Sequence, residues 1–154
     1  MNAAAMRVRV RGIQREIAGP ADLLLGVRMV GWALLLRVLK YLVPLPSLVR
    51  MMRGHGGSGR EAPDRERQVI TLARWACRLI AWSRGGNCLE RGLVTYRYLS
   101  AIGSRPTLAV GVGRSVHKVR GHAWVLLEGQ PVNETAASLR DFETIITFGP
   151  DGES

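Results

Sequence analysis

The sequence predicts an α+β fold in which helices come first and a small antiparallel sheet follows. Two long segments, residues 20–43 and 63–83, carry apolar side chains at helical spacing, and a third such segment starts at Cys88. From residue 107 onward, short segments alternate apolar and polar residues and are separated by glycine-containing turns. The chain has 154 residues, 47% of them hydrophobic, which is enough for one domain with its own core.

Charge and cysteine content limit the classes of function. The formal net charge is +10, and residues 1–60 hold ten of the 22 basic side chains but two of the 12 acidic ones. Such an excess is typical of proteins that bind nucleic acid, an anionic membrane surface or an acidic peptide, although an arginine-rich proteome gives the same composition. The sequence has no recognition helix with interleaved base-contacting residues, so we expect no nucleic-acid binding. Two cysteines are too few for a disulfide framework and indicate a reducing compartment.

The first 19 residues are basic, and their alternation at positions 6–11 fits either an edge strand or a frayed terminus. A basic segment before an apolar one also resembles a signal peptide. However, Arg28 interrupts the apolar stretch and no small-residue cleavage site follows it. We therefore expect a cytoplasmic protein.

Residues 20–43 are expected to form a long apolar helix, with Pro20 in its first turn and Pro44 just past its end. Its longest uninterrupted apolar run is eight residues, far below the roughly 20 needed to cross a membrane. The helix should therefore pack on the core or dock a partner, with at most weak association with a membrane surface. A short apolar element follows at residues 45–52, and residues 53–60 have the composition of a flexible loop.

The helix expected at residues 63–83 carries a single apolar stripe. Its members are Val69, Leu72, Ala73, Ala76, Cys77 and Ile80. Cys77 on this stripe is interpreted as a small core residue. Because the sequence contains no Cys-x-x-Cys pair and no histidine cluster, we expect neither a metal site nor a cofactor.

Cys88 is the strongest candidate for a chemical role. Asn87 has the position of a helix N-cap, and Glu90 three residues later would complete a capping box. Cys88 would then be the first helical residue, where free backbone N–H groups and the helix dipole favour a nucleophilic thiolate. The apolar stripe behind it consists of Leu89, Leu93, Tyr96 and Leu99.

The strands that follow the helix stop at Gly103 supply partners for that thiolate. His122 lies in an alternating segment at residues 119–127, and Glu128-Gly129 indicates a turn into a return strand at residues 130–134. A two-residue turn would put Glu134 on the face opposite His122, because side chains alternate along a strand. We therefore expect a three-residue connection with Gly129 in the left-handed conformation. A helical turn at residues 138–142 and a strand at residues 143–148 should follow.

The run NCLERGLVTYRYLSAIGSRPTLAVGV, followed by GHAWVLLEGQPVNE, resembles the leader peptidase of lasso-peptide biosynthesis. That family is a branch of the transglutaminase-like, papain-like cysteine proteases, so the resemblance implies that the Cys88 helix packs against the sheet. It also implies a catalytic triad of Cys88, His122 and Glu134, where the family usually has Asp at the third position. The alternatives that stay open are His117 for the base and Asn133 or Asp141 for the third residue.

The resemblance further implies cleavage between the leader and the core of a ribosomally made precursor peptide. The backbone N–H of Cys88 is the first candidate for the oxyanion donor, and the side chain of Asn87 or Trp82 is the second. Leader recognition would come from a separate leader-binding protein, and an ATP-dependent lasso cyclase would act in the same pathway. We expect partner or leader docking on the apolar, basic N-terminal half, through Arg28, Trp32, Arg37 and Leu39.

Within one folded domain, we assign residues 1–19 to a basic terminus, 20–60 to the apolar helical region and its loop, 61–148 to the cysteine protease core and 149–154 to a loose tail. Two other functions stay open. An amine can resolve an acyl-enzyme as well as water can, which would make the protein a transglutaminase-like acyl transferase. Alternatively, a catalytically silent protein could use its basic, apolar half to bind a peptide or a membrane.

Overall fold

A computed structural model describes residues 19–54, 63–81, 87–115, 118–132 and 134–153. Its helices are α1 (Pro20–Leu42), α2 (Leu45–Met52), α3 (Pro63–Leu79), α4 (Cys88–Ala101) and α5 (Ala136–Leu139). Its strands are β1 (Pro106–Ser115), β2 (Lys118–Leu127), β3 (Gln130–Pro131) and β4 (Phe142–Phe148). The predicted α+β class is confirmed. The possible strand at residues 6–11 and the loop residues 55–60 lie outside the described part of the chain.

The four strands form one antiparallel sheet in the order β3-β2-β1-β4. β1 and β2 pair along their whole length, from Pro106 opposite Leu127 to Ser115 opposite Lys118. β4 pairs with the other edge of β1, and its register shifts between Val110 and Gly111. Gly111 is also the partner of His122 across the β1–β2 pair. The irregularity that bends β4 therefore lies at the level of that histidine.

Helix α4 is the centre of the molecule, because it contacts both long strands as well as α1, α2 and α3. Eight of its 14 residues are buried. Of its predicted stripe, Leu93, Tyr96 and Leu99 are fully buried, and Leu89 is half-buried against the core. Every residue of the stripe predicted for α3 is buried as well. The sequence periodicity thus identified the buried faces of α3 and α4.

The C-terminal end of α4 is closed by a backbone motif that glycine makes possible. Gly103 has φ 85°, in the left-handed region. Its N–H donates to the Ser100 carbonyl at 3.1 Å, and the next N–H, of Ser104, donates to the Leu99 carbonyl at 3.1 Å. This paired arrangement is a Schellman motif, which satisfies carbonyls that have no partner inside the helix. The predicted helix stop at Gly103 is confirmed.

The hairpin between β2 and β3 differs from the prediction. Leu127 pairs with Gln130, so the connection has two residues, and both have positive φ: 51° at Glu128 and 78° at Gly129. These angles match the type I′ turn that two-residue hairpins prefer. The left-handed Gly129 is confirmed, and the three-residue loop is wrong. The return strand is also shorter than predicted, since β3 ends at Pro131.

After β3, the chain leaves the sheet before it reaches Glu134. One further backbone bond, from Val132 N–H to the Val125 carbonyl at 3.1 Å, continues the pairing. Glu134 then lies in a bend, and Thr135 caps α5 through a reciprocal pair of bonds with Ser138. The helical turn therefore begins two residues earlier than predicted. β4 agrees with the predicted strand to within one residue at its start.

Helix α1 is apolar on two sides. Its inner face buries Met29, Ala33 and Leu36, as a packing helix should. Its outer face is formed by eight exposed apolar side chains: Leu23, Leu24, Val27, Leu34, Leu35, Val38, Tyr41 and Leu42. In the part of the chain that the structure describes, no helix has the length and apolarity that crossing a membrane requires.

Candidate active site

Cys88 is the first residue of α4, as predicted. Its thiol is partly exposed and lies beside β2, with Sγ 4.0 Å from the Gly121 carbonyl oxygen. At this position the thiol is next to the unpaired N–H groups and the positive end of the helix dipole, which stabilise a thiolate. The fold therefore places a candidate nucleophile directly against the strand that carries His122.

The start of α4 is not held by the predicted capping box. The Asn87 side chain makes no cap bond; its Nδ2 donates instead to the Cys77 carbonyl at 2.6 Å. That carbonyl lies in the last turn of α3, where helix carbonyls lack an internal partner. Asn87 thus joins the end of α3 to the beginning of α4 and fixes where Cys88 emerges. With this donor engaged, Asn87 is a weaker candidate for an oxyanion donor.

Glu90, the other half of the expected box, turns into the protein. Its side chain is 3% exposed and accepts a charge-assisted bond from Lys40 Nζ of α1 at 2.8 Å. A buried carboxylate needs a partner that compensates for lost hydration, and an ammonium does so better than one backbone N–H. This pair joins α1 to the helix that begins with Cys88.

His122 and Glu134 are brought together, although the predicted turn is wrong. His122 Nε2 lies 3.3 Å from Glu134 Oε1, and both side chains are largely buried. Since Nε2 faces the carboxylate, Nδ1 is the ring nitrogen on the side away from Glu134. The strand alternation that argued against a two-residue turn does not reach Glu134, because β3 has already ended.

Aromatic rings fix the plane of the imidazole. The Trp124 ring stacks with that of His122 at a centroid distance of 5.9 Å, and the Phe142 ring lies 4.8 Å away at a tilt. Glycine at position 111 is needed for this arrangement: a Cβ there would lie 2.9 Å from Trp124 Cη2 and 2.4 Å from the Glu143 carbonyl oxygen. Sequence reasoning missed the roles of Gly111 and Phe142, since strand pairing alone reveals them.

Glu134 has two further partners. The Arg91 guanidinium binds Oε1, the same oxygen that faces His122. The Ser138 hydroxyl lies 3.4 Å from Oε2, with the Thr135 carbonyl at 2.8 Å as its nearer acceptor. Arg91 follows Cys88 by three residues and so shares its face of α4. That spacing was the available signal for Arg91, which sequence reasoning also missed.

The second cysteine has the opposite environment. Cys77 is 1% exposed, and burial raises the pKa of its thiol to about 12. At neutral pH it is therefore a protonated thiol packed in the core, consistent with its interpretation from the α3 stripe.

Iodoacetamide is expected to alkylate Cys88 in the folded protein and to leave Cys77 unmodified, because the reagent needs an accessible thiolate. Peptide mass spectrometry after native labelling measures both sites. Cys77 should react once denaturant opens the core. Faster native labelling at Cys77 than at Cys88 would reverse the assignment of the nucleophile.

Several other predicted residues are less informative. Trp82, His117 and Asn133 lie outside the described residues, and Asp141 is exposed in the turn before β4. Within the described chain there is no group of three or more potential metal ligands.

The expected docking residues are only partly placed as predicted. Arg28 is exposed and Arg37 is half-buried. Trp32 and Leu39 do not face outward: both are partly buried against the core, and the Arg97 guanidinium lies 4.3 Å from the centre of the Trp32 ring. The helix is apolar almost all round, so its sequence alone could not distinguish these residues from the outer face.

Comparison with known proteins identifies the superfamily of the chain. The family model described as the transglutaminase-like superfamily matches residues 26–147, a range that includes Cys88, His122 and Glu134. That superfamily includes cysteine proteases and acyltransferases. No curated protein and no solved structure shows significant similarity to the chain. The family model spans more than half of the sequence, and the α+β architecture is consistent with a transglutaminase-like core, so the chain belongs to the transglutaminase-like superfamily.

Proposed function

We propose that the protein is a cysteine peptidase that removes the leader from a ribosomally made lasso-peptide precursor. One observation carries the proposal: the helix that begins with Cys88 lies against the strand of a histidine whose Nε2 is held by a carboxylate. That arrangement supports thiolate attack on an acyl carbon, with the histidine as the proton carrier. The choice of a lasso precursor rests on the resemblance of residues 87–112 and 121–134 to that peptidase family.

In the proposed reaction, the Cys88 thiolate attacks the carbonyl carbon at the end of the leader. His122 donates its proton from Nδ1 to the departing amine of the core peptide. The leader then remains bound to Cys88 as a thioester. Water then attacks the thioester with His122 as the base, and Cys88 is released. Glu134 holds the imidazole in the orientation that presents Nδ1 and stabilises its positive charge. The backbone N–H of Cys88 has no partner within the helix and can donate to the oxyanion.

Hydrolysis is distinguished from the other functions by its products. The protein would be incubated with a precursor peptide encoded near its gene, with and without an added alkylamine, and the products identified by mass spectrometry. Free leader and free core in both reactions are expected. A leader–amine adduct as the main product would favour an acyl transferase. Intact precursor with every partner present, together with peptide binding by Cys88→Ala, would favour a silent binding protein.

The partners proposed are the precursor peptide, a separate leader-binding protein and an ATP-dependent lasso cyclase. The outer face of α1 supports docking of the leader-binding protein. It combines eight exposed apolar side chains with exposed Arg28, while Asp22, the acidic residue of this helix, is buried. An apolar patch of this length is typical of an interaction site, and the arginine would attract an acidic leader or partner. These residues replace Trp32 and Leu39 in the proposed contact.

Cleavage by the isolated chain is expected to be slow and to rise when the leader-binding protein is added. Tethering raises the substrate concentration near Cys88, to roughly millimolar for a short flexible link, so the gain should appear mainly at low substrate. Val38→Asp, on the outer face of α1, should remove most of this gain without changing the basal rate. The measurement is initial rate against substrate concentration, with and without the partner.

Ile145→Asp is the matched control, because Ile145 is an exposed β-branched residue on β4: it is 65% exposed, against 57% for Val38. Ile145→Asp should preserve the rate increase that the leader-binding protein causes. Full-speed, sequence-selective cleavage by this chain alone would contradict the separate leader-binding protein and require a leader site within this fold.

A further inference from the structure

Glu134 is held from two sides by groups that the proposed triad does not use. Arg91 approaches Oε1 from α4, and the Ser138 hydroxyl approaches Oε2 from α5. The side chains of Arg91 and Glu134 are 24% and 15% exposed, so the ion pair is mostly shielded from water. Shielding makes such a charge-assisted bond stronger and more directional than one at the surface.

The backbone alone does not fix the Glu134 carboxylate. β3 has two residues, and Glu134 lies beyond it in a bend, outside the ladder of the sheet. Glutamate has one more rotatable bond than aspartate, so its carboxylate can occupy more positions. Contacts to the carboxylate oxygens must therefore fix the position that faces His122 Nε2. Among these contacts, the one with Arg91 is an ion pair.

We propose that Arg91 is a positioning residue that holds Glu134 against His122 and thereby joins the nucleophile helix to the acid–histidine pair. The inference rests on the triad proposed above. Arg91 lies one helical turn after Cys88, so a single rigid helix sets the positions of both the thiol and the clamp on the carboxylate. With Glu134 held in place, the imidazolium is stabilised, and it in turn stabilises the Cys88 thiolate.

The pH dependence of this arrangement depends on the charges that surround it. On the elements packed around the pair, the described titratable or charged groups nearest to it in the chain include Cys88, Glu90, Arg91, Cys77, Arg120, Arg140, Asp141 and Glu143. Glu90 is engaged by Lys40. The Cys77 thiol stays neutral at working pH, and Asp141 and Glu143 are exposed, where solvent screens them. Arg120 lies over the Phe142 ring, 5.8 Å from its centre. Glu134 is thus the carboxylate in direct contact with the imidazole.

The test is the rate of Cys88 alkylation by iodoacetamide as a function of pH, which needs no peptide substrate. Arg91→Met should move this rate profile toward higher pH by about one pH unit, because Glu134 is released and the imidazolium loses support. Arg91→Lys keeps the charge but not the planar fork, so its shift should be smaller and in the same direction.

A double variant separates positioning from direct attraction between arginine and thiolate. If Arg91 acts through Glu134, Arg91→Met should cause almost no additional shift in a Glu134→Gln background. A full shift in that background would overturn the positioning role. Arg97→Met is the control, because Arg97 is a half-buried arginine of the same helix whose contacts are the Trp32 ring and the Met51 carbonyl. Its profile should match the wild type.

The outcomes also distinguish this inference from the proposed function. If the profile responds to His122→Ala but not to Arg91→Met, the triad stands and the role of Arg91 is refuted. If it responds to neither, the triad is refuted, and the role of Arg91 with it. Thermal unfolding of each variant shows whether it is folded. Should Arg91→Met not fold, Arg91→Lys decides: a rate profile equal to that of the wild type would refute the proposal.

Discussion

Alanine at Cys88 or at His122 is expected to abolish peptide cleavage, with a loss of about 10⁴-fold or more in kcat. Removing either the nucleophile or its base from a catalytic unit costs nearly as much as removing the whole unit. Glu134→Ala should retain measurable activity, since a residue that orients the base contributes less, and Glu134→Asp should be milder still. Precursor cleavage followed by mass spectrometry measures all four variants.

Cys77→Ala is the matched control, because it removes the other thiol from a site 1% exposed. It should lower stability through the small cavity that it leaves and preserve the rate of the folded protein. Wild-type cleavage by Glu134→Ala would show that the third residue lies elsewhere. Asn133 and Asp141 would then be the residues to replace next.

Replacing Lys40 by methionine is expected to lower the free energy of unfolding by about 3–5 kcal/mol, because Glu90 would remain buried without its partner. Lys40 itself is 25% exposed, which places the effect toward the lower end of that range. Adding Glu90→Gln should recover much of the loss, since a neutral amide is less costly to bury than a charge. Urea unfolding at pH 7 measures the series.

The exposed pair between Arg53 and Asp151 serves as the control. Its side chains are 48% and 56% exposed, so Arg53→Met should cost about 0–1 kcal/mol. Equal losses for Lys40→Met and Arg53→Met would mean that the buried pair contributes no more than a surface one.

The Lys40 pair also predicts how stability changes at high pH. The hydrogen bond and charge of Glu90 hold the pKa of Lys40 above its ordinary value of 10.5. A group whose pKa is higher in the folded state contributes its full stabilisation below the unfolded value. That contribution is lost as the pH rises through the folded value, so the difference between wild type and Lys40→Met should narrow above about pH 10.5.

Features of the fold that depend on local patterns were predictable. The α3 stripe, the position of Cys88 and the helix stop at Gly103 each follow from spacing or from the conformation that one residue type permits. The capping box failed because both of its residues have better partners far away. Lys40 lies 50 positions before Glu90, and the Cys77 carbonyl belongs to the preceding helix. The local sequence pattern does not show that such distant groups compete with the backbone N–H groups for the Asn87 and Glu90 side chains.

The turn at Glu128 failed for a different reason. The loop length was inferred from the side-chain alternation that would bring Glu134 to the face of His122, and β3 ends before Glu134, so that alternation does not apply. Glu128 adopts φ 51°, an angle uncommon for a non-glycine residue. Strand pairing outweighed the modest cost of that angle. The partners of Glu134 were equally hidden, since Arg91 and Ser138 come from two helices whose approach is a property of the tertiary fold. The chemistry of the site was therefore easier to predict than its support.

The early end of β3 has a consequence for how this site can vary among related chains. While a residue belongs to a strand, inserting or deleting one position turns its side chain to the opposite face. Glu134 lies past the strand, so a change of one residue in the connection would alter only the distance that the acid must reach. A longer side chain can compensate for a backbone that stops short, and a shorter one for a backbone that comes closer. The identity of the acid, Glu or Asp, should therefore covary with the length of this connection, and a graft between relatives must move the connection and the acid together.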